Sequence, residues 1–94
     1  MEGIKHDVDK LRYELLPVKP IEDIVRVLTF GSKKYKDDNW KHVKPFEDRY
    51  YAAALRHITA WRKGEILDRE TGLPHLAHAT CCLVFLLEGA GYKC

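Results

Sequence analysis

Three histidines lie within two strongly apolar segments of the chain. The stretch 49–87 reads RYYAAALRHITAWRKGEILDRETGLPHLAHATCCLVFLL, with His57 in the first segment and with His75 and His78 in the second. Polar groups surrounded by apolar surface are costly to bury unless a partner binds them. The hairpin formed by these two segments is therefore where we expect a ligand.

A metal ion is one ligand that these histidines could share. His75 and His78 are three residues apart on one helix face, and His57 could supply a third nitrogen. A carboxylate of the connector could complete the site, the candidates being Glu65, Asp68 and Glu70. The alternative is that the histidines bond to backbone carbonyls, to connector carboxylates or to one another. Because an HxxH pair alone is a weak signal, we favour no metal and no cofactor here.

Basic and aromatic residues could bind a ligand that carries phosphates and an aromatic base. Arginine suits phosphate because its planar guanidinium matches two phosphate oxygens. The alternatives are ion pairs for the basic residues and core packing for the aromatic residues. The predicted ligand-binding set is Lys10, Arg12, Lys33, Tyr35, Trp40, Arg49, Arg56, His57, Trp61, His75 and His78.

Length, charge and cysteine content narrow the class of protein. The 94 residues predict a single domain spanning 1–94, and 46% of them are hydrophobic. The net charge of +2 is too small for nonspecific nucleic-acid binding, so we expect no nucleic-acid partner. A charged N-terminus and the lack of an apolar run of about 18 residues argue against a signal peptide and a membrane span. Of the three cysteines, the adjacent Cys81 and Cys82 suit small buried side chains rather than a disulfide or a metal site. We expect a cytoplasmic protein.

Apolar periodicity and helix-end signals predict an all-α fold. Residues 1–19 form an extended arm, which we expect the leucines at 11, 15 and 16 to anchor to the core. Three helices follow at about Pro20–Tyr35, Phe46–Lys63 and Pro74–Glu88, and Gly64 is placed to end the second. Gly31 interrupts the first helix, which suggests close backbone packing or the approach of a ligand there. The third is apolar nearly all round, so we predict burial on several sides in a homodimer or homotetramer.

Several ordered blocks of the sequence resemble a phage protein family. They are DVDKLRYELLP, VLTFGSKKY, DNW, RYYAAALRH, GEILDRETGLPHLAHA and FLLE. The family comprises N-terminal domains of dATP/dGTP diphosphohydrolases and is similar to the MazG-like all-α nucleotide pyrophosphohydrolases. The resemblance implies a MazG-like helical bundle completed by oligomerisation, with purine nucleotides held between subunits.

The metal-binding carboxylates of MazG-like enzymes have no counterpart in the helical hairpin. Those enzymes hold magnesium with an ExxE pair and an ExxD pair, whereas the position resembling the second pair reads His75-Leu-Ala-His78. No acidic residue lies between Tyr50 and Lys63 or between Pro74 and Leu87. Histidine is a poor magnesium ligand, so the residues do not predict the usual magnesium chemistry.

Two hypotheses follow for a purine-nucleotide-binding phage protein. The first, which the missing carboxylates favour, is a non-hydrolytic sponge that sequesters a nucleotide immune signal such as a cyclic ADP-ribose isomer or a cyclic dinucleotide. The alternative is a metal-dependent dATP/dGTP pyrophosphohydrolase. It would use Mg²⁺ or Mn²⁺, with His57, His75, His78 and Asp68 as ligands.

Overall fold

Three helices make up the fold, as the sequence predicted. The computed structural model describes residues 3–6 and 8–90. The helices are α1 (Val18–Lys34), α2 (Phe46–Arg62) and α3 (His75–Ala90). Short 3-10 helices cover Tyr13–Leu15 and Asn39–His42. Within the described ranges there is no strand beyond one isolated bridge between Leu67 and Pro74, and the all-α prediction is confirmed.

The first helix begins two residues earlier than predicted. Pro17 is the N-cap, so α1 starts at Val18 and Pro20 is its third residue. A proline is still compatible there because the first four amides of a helix have no partner within it. Gly31 was predicted to allow close backbone packing or the approach of a ligand, but a Cβ built there would meet no atom within 4 Å beyond the backbone of its own helix. The packing interpretation is therefore wrong for a single chain, and the approach of a ligand stays a prediction.

The second helix ends where the sequence indicated. Its last residue is Arg62, and Gly64 follows with a φ of 107°. Glycine adopts this left-handed conformation without the steric cost that a Cβ brings. The chain can therefore turn sharply into the connector that precedes α3.

Small side chains form the contact between the helices. The buried apolar residues are Ala54 of α2 and Ala77, Ala79, Cys81 and Cys82 of α3. Small residues let helix backbones approach closely, and α3 packs against both α2 and α1. Burial raises the pKa of the Cys81 thiol to about 12. The prediction that these two cysteines are small buried side chains agrees with this packing, whereas Cys94 lies outside the described residues.

An aromatic cluster closes one end of the helical hairpin. The Trp40 ring stacks on Phe85 with centroids 4.6 Å apart and an interplanar angle of 7°. Phe46 and Tyr50 surround the pair, with Phe46 centred 6.0 Å from Trp40 and Tyr50 centred 5.2 Å from Phe85. A Cβ at Gly89 would collide with the Phe46 ring. The backbone of α3 at Gly89 therefore lies close against the Phe46 ring.

Much of the apolar surface remains exposed in a single chain. Leu83 and Leu87 of α3 are 51% and 65% exposed, and Val25 of α1 is 51% exposed. The radius of gyration is 16.5 Å, whereas a compact chain of this length should give about 12 Å. Burial of α3 on several sides is thus not achieved within one chain. Its completion by a second copy stays a prediction.

The arm does not pack as predicted. Leu11, Leu15 and Leu16 are exposed, the first by 80%. All three leucines are more than half exposed, so the prediction that they anchor the arm is wrong for a single chain. None of the helices in the described part of the chain is long and apolar enough to cross a membrane.

Candidate functional site

The connector between α2 and α3 folds into a tight loop that presents its side chains to both helices. The Asp68 amide donates to the Leu73 carbonyl at 2.8 Å, and the Gly72 amide donates to the Asp68 carbonyl at 2.8 Å. Gly72 has a φ of 71°, which suits glycine. The His75 amide then donates to the Ile66 carbonyl at 2.9 Å. These bonds place Asp68 and the start of α3 beside the middle of α2.

The three histidines from the sequence prediction lie together. Nδ1 of His57 is 2.8 Å from Nδ1 of His75. The His57 and His78 rings stack, with centroids 4.7 Å apart and an interplanar angle of 12°. His75 is buried, and the other two are half-buried. The hairpin thus forms one compact histidine cluster from residues of α2 and α3.

The contacts of His75 indicate which nitrogens carry protons. Nε2 of His75 is buried without a hydrogen-bond partner, but the Glu65 carboxylate lies 3.5 Å away. A carboxylate only accepts, so it favours a proton on His75 Nε2. Nδ1 of His75 then accepts the hydrogen that His57 donates from its own Nδ1. This arrangement leaves Nε2 of His57 with a lone pair.

His78 is fixed by Thr71 rather than by His75. The Thr71 hydroxyl donates to Asp68 Oδ2 at 3.0 Å, so it accepts from His78 Nε2 at 2.7 Å. The Thr71 amide also donates to Asp68 Oδ2, at 2.9 Å. Asp68 is therefore held in place by Thr71 and lies 3.9 Å from His78 Nε2.

The surroundings favour neutral rings at His57 and His78 and an ionised carboxylate at Asp68. Burial lowers the pKa of His57, and the neighbouring histidines lower it further. Burial also lowers the pKa of His78, although Asp68 opposes the shift. Burial alone would raise the pKa of Asp68, but the hydrogen bonds from Thr71 outweigh it and the pKa is lowered. Neutral imidazole and ionised carboxylate are the forms that bind metal ions.

The cluster also contains a set of donors suited to a metal ion. Ligand atoms of His57, Asp68 and His75 all lie within 4.8 Å of one another. Of the three connector acids proposed from sequence, Asp68 alone belongs to this group in the described chain. Glu70 instead forms a salt bridge with Lys34 at 2.6 Å. Two imidazoles and one carboxylate suit a divalent transition ion better than Mg²⁺.

Most of the other predicted ligand-binding residues lie outside this cluster. Arg12 pairs with Glu14 at 2.9 Å in the exposed arm. Arg49 donates to the Lys44 carbonyl at 3.2 Å in the first turn of α2. The remaining outlying residues are Lys10 in the arm, Lys33 and Tyr35 at the end of α1, and Trp40 in the aromatic cluster. The structure therefore assembles the histidines but does not bring these residues to them.

Arg56 and Trp61 are carried by the same helix as His57. Trp61 is half-buried near the end of α2. Arg56 is exposed and lines a groove on the outer face of α2, together with Lys63 and Arg69. Sequence reasoning missed these last two residues, and it also missed Thr71. The Asp68-x-x-Thr71 spacing, typical of a turn closed by a side chain, was the available signal for Thr71.

The amino-acid sequence matches a family of known proteins over almost its whole length. Residues 1–92 match the family described as dATP/dGTP diphosphohydrolase, N-terminal. A dATP/dGTP diphosphohydrolase of Salmonella phage PMBT28 is 38% identical over 86 residues, which cover 92% of this chain and 29% of that protein. The chain thus spans less than a third of this relative. No solved structure matches the chain at significant similarity.

Proposed function

Because the chain belongs to the family of dATP/dGTP diphosphohydrolase N-terminal domains, we propose that it binds a purine deoxynucleoside triphosphate and contributes to its hydrolysis. The products would be the deoxynucleoside monophosphate and inorganic diphosphate. The observation that carries this proposal is the cluster of His57, Asp68 and His75, whose ligand atoms lie within 4.8 Å of one another. Since the relative is much longer than this chain, the proposal concerns the part of the activity that these residues can support.

The cluster fits a divalent transition ion. His75 Nε2 is a buried nitrogen without a hydrogen-bond partner, which is an unfavourable state unless something binds it. His57, His75 and Asp68 would hold the ion, and His78 would remain bonded to Thr71. An ion bound to His75 would replace either the proton on Nε2 or the hydrogen bond at Nδ1, so the proton positions described above are those of the metal-free cluster. An ion there would act as a Lewis acid that polarises a phosphate oxygen. The same donor set is poorly suited to Mg²⁺, so we expect Mn²⁺ or a similar ion to support activity better.

His57 would take part in hydrolysis as a ligand of the ion. Water attacks the α-phosphorus, the bond from that phosphorus to the bridging oxygen breaks, and diphosphate leaves. The proton that the water loses is released to solvent. The lowered pKa of His57 favours the neutral ring, which is the form that binds a metal ion. His75 and Glu65 orient that ring through the 2.8 Å contact between the two Nδ1 atoms.

The sponge hypothesis draws no support from the matching proteins. The relative from Salmonella phage PMBT28 is named as a diphosphohydrolase, which favours the alternative that the sequence left open. The lack of ExxE carboxylates remains a real difference from MazG-like enzymes. We resolve it by assigning the ligand role to histidines and Asp68 instead.

The proposal is tested by identifying what the protein does to a bound nucleotide. Purified protein is incubated with dATP, dGTP, ATP or GTP in EDTA, Mg²⁺ or Mn²⁺, then denatured, and its nucleotides are separated. We expect dAMP or dGMP together with diphosphate in Mn²⁺. His57→Ala should abolish product formation, whereas His42→Ala, which removes an exposed histidine outside the cluster, should not. Recovery of intact nucleotide under every condition would contradict the hydrolase.

A further inference from the structure

A groove beside the histidine cluster combines apolar and cationic side chains in a definite order. It lies on the outer face of α2 and on the connector, with a volume of about 750 Å³. Tyr51, Leu55, Thr59 and Lys63 line it at steps of four residues, which places them in one row along the helix. At 1.5 Å per residue the row is about 18 Å long. One end is thus aromatic and the other is cationic.

The groove as a whole has an excess of positive charge. Arg56 lines it between the two ends, Lys63 and Arg69 line its cationic end, and Glu65 is the carboxylate that lines it with them. Arg69 Nε donates to Glu65 Oε1 at 2.9 Å. Within residues 3–6 and 8–90, no salt bridge involves Arg56 or Lys63. Two cations therefore remain available to an anionic ligand.

Glu65 connects this groove directly to the histidine cluster. Its Oε1 atom accepts from Arg69 in the groove, and its Oε2 atom lies 3.5 Å from Nε2 of buried His75. A ligand bound at the cationic end would therefore lie beside Glu65, which in turn contacts the buried His75 of the cluster. Glu65 is thus the side chain that the groove and the histidine cluster share.

We propose that this groove, here called the basic groove, binds the polyphosphate chain of the nucleotide. Arg56, Lys63 and Arg69 bind phosphate oxygens, and the nucleoside lies toward the exposed ring of Tyr51. Arginine and lysine bind phosphate through charge-assisted hydrogen bonds. This inference rests on the proposed function, since it names the place where the substrate of that site is held.

Binding measured without metal tests the basic groove independently of hydrolysis. Calorimetry in EDTA compares deoxyguanosine, dGMP, dGTP and inorganic tripolyphosphate with the wild-type chain and with the variants Arg56→Ala and Lys63→Ala. Arg62→Ala is the matched control, because Arg62 lies on the same helix but does not line the groove. Circular dichroism confirms that each variant is folded. These substitutions affect exposed side chains and should leave the helices intact.

We expect each groove variant to bind dGTP about tenfold more weakly or worse, since charge-assisted hydrogen bonds are lost. Arg62→Ala should bind as the wild type does. Tripolyphosphate should compete with dGTP, and deoxyguanosine should bind least well. Equal affinities of the groove variants and Arg62→Ala would overturn the proposal, as would failure of tripolyphosphate to compete or failure of the wild type to bind dGTP.

A parallel assay of wild-type hydrolysis separates the two proposals. Hydrolysis in Mn²⁺ combined with unchanged dGTP binding by the groove variants would reject the basic groove and retain the hydrolase. Loss of binding in those variants without any hydrolysis by the wild type would support the groove and reject the hydrolase. Tripolyphosphate binding as tight as that of dGTP would identify polyphosphate itself as the ligand and overturn the assignment of the nucleoside to Tyr51.

Discussion

Replacing Asp68 by asparagine should weaken both the fold of the connector and metal binding. Asp68 Oδ2 accepts from the Thr71 amide at 2.9 Å and from the Thr71 hydroxyl at 3.0 Å. Its side chain is 19% exposed, so solvent screens these bonds only in part. Asparagine retains the shape but offers a neutral oxygen. The variant therefore tests the charge of Asp68 rather than its size.

The expected loss of stability follows from the difference between charged and neutral acceptors. A hydrogen bond to a charged group contributes about 1.5–3 kcal/mol and a neutral one about 0.5–1.5 kcal/mol. The difference is about 1–1.5 kcal/mol per bond. Because both bonds share one oxygen, they are not fully additive, and we expect a loss of about 1–2 kcal/mol for Asp68→Asn. For a domain of this size, each kcal/mol lowers Tm by about 4–8 °C. Glu70→Gln is the matched control, since Glu70 is an exposed connector acid whose salt bridge with Lys34 is screened by solvent and should contribute little to stability.

Thermal unfolding with and without a divalent transition ion distinguishes the two roles of Asp68. A ligand that binds only the folded state at 100 times its Kd adds about 2.7 kcal/mol of stability. Mn²⁺ or Zn²⁺ should therefore raise Tm of the wild type and of Glu70→Gln, but not of Asp68→Asn. An Asp68→Asn protein that is as stable as Glu70→Gln and shows the same increase in Tm with metal would refute the assignment.

Three further predictions concern the packing and the histidines. Gly31→Ala should raise the free energy of unfolding by about 1 kcal/mol, because alanine favours the helix and its Cβ meets open space. Gly89→Ala should lower it by about 1–3 kcal/mol, because the new Cβ would collide with Phe46. Urea unfolding compares the two variants, and equal stabilities would contradict the packing at Gly89. Burial lowers the pKa values of His57 and His78, so the unfolded chain binds more protons than the folded chain. The stability gained from these neutral histidines should be complete above about pH 6.5, the pKa of histidine in the unfolded chain. The free energy of unfolding should fall as the pH drops below that value. Urea titrations at pH 7.5 and pH 5.5 measure this change, and greater stability at pH 5.5 would argue against neutral histidines in the fold. Light scattering at micromolar concentration should give a dimer or tetramer mass, and a monomer would reject burial of the exposed α3 face against another copy.

The sequence by itself was sufficient to predict the three helices and to single out the three histidines that form one cluster. The position of each helix follows from the spacing of apolar residues within its own segment. Gly64 marked the end of α2 because the left-handed backbone conformation there favours glycine. His57, His75 and His78 stood out because polar side chains in apolar helices need partners. These are local properties, and the structure places all three residues in one cluster.

Only the tertiary structure decided which groups touch. Residues 18 positions apart, His57 and His75, meet because α2 and α3 pack closely through small side chains. The loop geometry of the connector selected Asp68 for the cluster, left Glu70 to pair with Lys34, and turned Glu65 toward both Arg69 and His75. Helical periodicity specifies a face of one helix, but the crossing of two helices and the closure of a loop depend on packing across the whole chain. That packing is why these contacts could not be read from residue spacing.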